Sequence, residues 1–131
     1  MTNAVTKLAL LALVSVPVCS ALAQQTKYCG GSLVANSAYS TVQSNGKTAD
    51  VVYHAQMQNV DEKRRTVTAT MLSIQRIGNH TVVQPTTRFD LTPYQQKDLV
   101  LFAVLIYNPS GAGAPTPSTV MQSVRFACSF K

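Results

Sequence analysis

Tryptophan is absent from the 131 residues, phenylalanine and tyrosine together supply only 7% of them, and charged side chains only 12%. So sparse a stock of rings leaves no row of stacking platforms for single-stranded nucleic acid, and nucleic acid is not an expected partner. The longest apolar run after residue 24 is LVLFAVLIY at residues 99–107, half of what a membrane-crossing helix requires, so no transmembrane segment is expected in that part of the chain.

Signatures of chemistry are missing as well. There is no Gly-x-Ser-x-Gly elbow and no Cys-x-x-Cys pair. Gly30-Gly31-Ser32 and Ser110-Gly111-Ala112-Gly113 lack the strand-to-helix setting of a phosphate cradle. The histidines, His54 and His80, each fall on an expected strand, with no second ligand at metal-binding spacing. Among the five acidic residues only Asp90 and Asp98, flanking one loop, are placed to approach each other. The expectation is therefore a protein that is not an enzyme and uses neither metal nor cofactor.

What is present begins with an export signal. Lys7 is the only charged side chain ahead of an eleven-residue apolar run at residues 8–18, which is too short to span a bilayer as a helix. Ala21-Leu22-Ala23 then supplies small residues before a cut that leaves Gln24 first. Residues 1–23 read as a cleaved signal-peptide helix and 24–131 as one domain, which is secreted or periplasmic. Cys19 is a poor lipid-attachment site, because the bulky Val18 precedes it where a small residue is wanted.

Cleavage after Ala23 discards Cys19 and leaves two cysteines, Cys29 and Cys128, an even number in an exported chain. A bridge between them closes a loop of about 100 residues, worth on the order of 4 to 5 kcal/mol in the chain-entropy model. Loss of Lys7 leaves ten basic against five acidic side chains, a net charge near +5 that favours acidic partners. The one dense cluster, Asp61-Glu62-Lys63-Arg64-Arg65, carries both signs and reads as a solvated turn.

The hydrophobic period is that of strands. Residues 39–43 and 48–59 form a hairpin around Asn45-Gly46, where a type I′ turn is expected; Val51, Tyr53, Ala55 and Met57 share one face of its second arm. Residues 66–71 resume the alternation, and the slip to Leu72 and Ile74 suggests a bulge or a change of sheet. Short strands follow at 80–84 and 88–91. Residues 99–107 read as a central strand buried on both faces, and 119–128 as the closing strand. No stretch after residue 24 shows a helical period.

About seven strands in some 100 residues predict an all-β, antiparallel two-sheet sandwich, immunoglobulin-like, with a small β-barrel as the alternative. Two segments are candidates for contacting a partner. One is the Lys63, Arg64, Arg65 turn; the other is the flexible loop at residues 108–118, with Tyr107 at its base and Asn108, Ser110 and Gly111 within it. The reading is of an exported binding or accessory module, such as a small subunit of a periplasmic or envelope complex, whose partner is another envelope or secreted protein. The alternative is an inhibitor or immunity-type protein acting on a secreted enzyme.

Overall fold

The structure, a computed structural model, describes residues 25–83, 85 and 88–131; the expected leader, Cys19 and the cut after Ala23 lie outside them. Its organising strand is β3 (Ala49–Asn59), in which every odd-numbered side chain is buried and every even one is half-exposed. That strict alternation places Val51, Tyr53, Ala55 and Met57 in the core, as their spacing predicts.

Beside β3 run β2 (Leu33–Ser44) and β8 (Gln96–Ile106), both antiparallel to it. A short β1 (Thr26–Tyr28) pairs with the start of β2; β5 (Arg76–Ile77) and β6 (His80–Val83) continue the sheet beyond β8. The order is β1-β2-β3-β8-β6-β5, and the sheet curls. A second sheet, β7-β4-β9, consists of β7 (Arg88–Leu91), β4 (Val67–Met71) and β9 (Phe126–Phe130). The fold is thus all-β with two antiparallel sheets, as expected. After Met71 the chain leaves the three-stranded sheet and enters the six-stranded one at Arg76, which accounts for the slip in apolar phase.

Four expectations are corrected. At the β2–β3 hairpin, positive φ occurs at Gly46 alone, the first central residue between Asn45 and Thr48, which is the II′ pattern rather than I′. The run at 99–107 is buried on both faces only from Leu101 to Val104. A bulge opposite Tyr53 and His54 inserts Leu101, so Leu101 and Phe102 both enter the core, whereas Val100 is half exposed and Tyr107 82% exposed.

The expected closing strand begins instead as a helix, α1 (Pro117–Ser123), and only then becomes β9. The Thr116 hydroxyl caps it by accepting from the Thr119 amide, Pro117 occupies the first turn, and Val120 and Val124 at i and i+4 are both fully buried. Finally, residues 108–118 are anchored rather than free. The Tyr53 hydroxyl donates to the Pro115 carbonyl at 2.6 Å, and a Cβ on Gly111 would stand 3.1 Å from Val42 and 3.2 Å from Val51.

Candidate functional site: two grooves beside the Cys29 turn

Cys29, Gly30 and Gly31 follow one another in the left-handed region, at φ 57°, 69° and 99°. Glycine tolerates that region and cysteine does not, so the tight turn depends on the Gly30-Gly31 pair and holds Cys29 against its preference. The turn aims Cys29 at β9, where Cys128 stands at disulfide distance, with Cα atoms 5.8 Å apart and a sequence separation of 99. Alongside, the buried Tyr28 hydroxyl donates to the Met121 carbonyl at 2.6 Å, and its ring meets Phe126 edge-on at 4.9 Å. Burial drives the Tyr28 phenol well above its ordinary value, with a smaller opposing pull from Arg125.

The second wall is the 61–65 turn, which is more than solvated charge. Asp61 is 4% exposed. Its carboxylate accepts from Ser32 Oγ at 2.9 Å, from the Arg65 amide at 3.0 Å, and from Arg65 Nε and Nη2 at 3.0 and 2.9 Å. The Arg65 side chain, foremost, holds the Asp61 carboxyl far below the usual carboxylate range. Arg65 in turn lies over the Phe130 ring, 4.1 Å from its centroid.

Asn59, with no exposed surface, completes the lock. It donates to the carbonyls of Arg65 and Leu91 and accepts from the Asp61 amide. Three of the five cluster side chains, Glu62, Lys63 and Arg64, remain exposed.

Between these walls lie two grooves that meet at Gly30 and Gly31. The first, of about 620 Å³, is lined by Lys27, Tyr28, Met121, Arg125 and Phe126. The second, of about 600 Å³, is lined by Lys27, Ser32, Asp61, Glu62, Lys63 and Arg65. With Asp61 and Arg65 neutralising each other, Lys27, Lys63 and Arg125 face the space against Glu62 alone, so the rim is cationic.

Of the candidate partner-binding residues, Lys63 and Arg65 line this site, and Arg64 stands exposed at the turn. Tyr107, Asn108, Ser110 and Gly111 do not join them. They follow β8 next to the first residue of β3, whereas the charged turn follows the last residue of β3, roughly 30 Å away along the strand. Asn108 Oδ1 accepts from the amide and hydroxyl of Ser110, which fixes that turn internally. Lys27 and Arg125, isolated charges near opposite ends of the chain, carry no sequence signal. β1 and β9 bring them together.

A second polar cluster lies on the outer face of the six-stranded sheet. Tyr39 stacks on His54 with centroids 4.6 Å apart, and its hydroxyl donates to Asp98 at 3.0 Å. That hydrogen bond, first of all, raises the Tyr39 phenol above its ordinary value. His54 Nε2 shares a 3.2 Å hydrogen bond with Thr41 Oγ1, so Asp98 reaches the imidazole only through Tyr39. Asn36, Gln58, Gln96 and Gln25 extend the face as a chain of amides. His80 lies on β6 opposite Ile77, and Asp90 and Asp98 belong to different sheets.

Among the described residues no group of three or more His, Cys, Asp or Glu is arranged to hold a metal ion, and no helix is long and apolar enough to cross a membrane. Comparison of the chain with protein-family models, curated proteins and solved structures finds no match.

Proposed function

We propose that this chain is an exported, non-enzymatic accessory protein that holds an acidic segment of another envelope or secreted protein in the paired grooves beside the Cys29 turn. The observation that carries the reading is the placing of Lys27, Lys63 and Arg125 around two adjoining cavities whose walls are fixed by the Asp61–Arg65 lock and the Cys29–Cys128 pair. The backbone that carries these cations is fixed before binding, so their attraction for a carboxylate-rich strand is not spent on ordering the turns. A net charge near +5 in the processed chain adds long-range steering toward such a partner.

Export follows from the leader at residues 1–23 and from a cysteine pair suited to an oxidising compartment. N-terminal sequencing of the periplasmic or secreted form should begin at Gln24.

Binding is tested by titrating an oligoglutamate peptide into the oxidised, processed protein. Affinity should fall with added salt, and Lys27→Glu with Arg125→Glu should weaken it about tenfold or more, equivalent to about 1.4 kcal/mol. Lys47→Glu, at the far hairpin tip, should leave it unchanged. Affinity indifferent both to salt and to the paired substitution refutes the reading. Capture of an acidic secreted hydrolase whose turnover then falls assigns the inhibitor role instead.

A further inference from the structure

Most outer strands of this fold carry devices that discourage pairing. β1 has three residues and includes Lys27, β5 has two and includes Arg76, β7 includes Arg88 and Asp90, and β9 is flanked by Arg125 and Lys131. β2 differs from these. β1 covers it only as far as Ala35. From residue 37 to 44 (SAYSTVQS) it contains no charge, no proline and no glycine, and among the described residues no strand pairs with its far side. α1 lies beside β2 without donating a hydrogen bond to it. Such an edge is a ready template for another strand.

We infer that the edge at residues 37–44 pairs with the same edge of a second copy, antiparallel across a two-fold axis, to make a dimer with one continuous sheet. Three observations favour this occupant. The window is bounded at one end by β1 and at the other by the Asn45–Thr48 turn, so two copies offer each other identical lengths.

Side chains pair face to face only when the axis passes through a single residue, and Ser40 and Thr41 are the central ones. In both registers Val42, 49% exposed on the core side, meets Ala38 or Ser40 of the second copy, and Tyr39 meets Thr41 or Gln43. The segment is also neutral, so two copies with a net charge near +5 approach without like charges standing opposite each other. The contact is isologous and closes at two copies. It is independent of the grooves.

Sedimentation of the oxidised, processed protein should show its mass double as concentration rises. Hydrogen exchange should show the amides of residues 37–44 becoming protected in step. The double substitution Thr41→Lys, Gln43→Lys sets four like charges about the axis. It should weaken self-association about tenfold or more while leaving the monomer's thermal unfolding intact.

Thr70→Lys, on the outer face of the three-stranded sheet, should leave the dimer unchanged. A single monomeric mass up to about 0.5 mM overturns the inference, since association weaker than that yields no stable dimer. So does a dimer that survives the double substitution, or protection of residues 37–44 only when another envelope protein is added.

Discussion

Asn59, with no exposed surface of its own, satisfies three backbone groups: two carbonyls, of Arg65 and Leu91, and the Asp61 amide. Asn59→Ala removes all three bonds, and the expected loss of stability is about 2 to 4 kcal/mol, read from denaturant unfolding. Asp61 adds a pH dependence of definite sign. Its folded-state pKa lies below the unfolded value, chiefly because of Arg65. Its contribution is therefore complete above the unfolded pKa of about 4 and fades as pH falls toward the folded one. Thermal unfolding from pH 7 to pH 2 should show Asp61→Asn less stable than the native chain at neutral pH, with the gap closing below about pH 4. Equal gaps at both ends would show that the ion pair stabilises nothing.

At the scale of elements, the 108–116 segment behaves as a strap because Gly111 comes close to the core. A Cβ there would press on Val42 and Val51, and φ is +78°. Gly111→Ala should cost on the order of 1 to 3 kcal/mol and speed amide exchange in that segment. β3, β4 and β7 are legible because their apolar side chains keep a period of two. β1 and β5, with three and two residues, are too short to show one. The apolar pattern conceals α1 because Val120, Val124, Phe126 and Cys128 are all even-numbered, and Val120 to Val124 suits a helix equally well. The Thr116-Pro117 start was the deciding sign. Of the grooves only Lys63 and Arg65 could be read in advance. Lys27 and Arg125 meet through strand pairing and the Cys29 turn, which no local pattern encodes.

For the molecule as a whole, the Cys29–Cys128 pair ties the beginning of the six-stranded sheet to the last strand of the three-stranded one. Reduction, or the paired change of both cysteines to alanine, should lower the thermal midpoint by about 20 °C, taking about 4 kcal/mol for the loop and about 5 °C per kcal/mol. It should also loosen the grooves, since Gly30 and Gly31 beside that junction line both of them. The two bulges bear on how the sheet tolerates changes in length. β2 and β8 each hold one residue more than β3 opposite them, Asn36 in the first and Leu101 in the second. Losing one residue near either site irons the strand flat while its neighbours keep their sides. β3 has nothing to spare. Shortening it by one position would turn half of its side chains inside out, so any natural drift in strand length should be found in the two flanks and not in the middle.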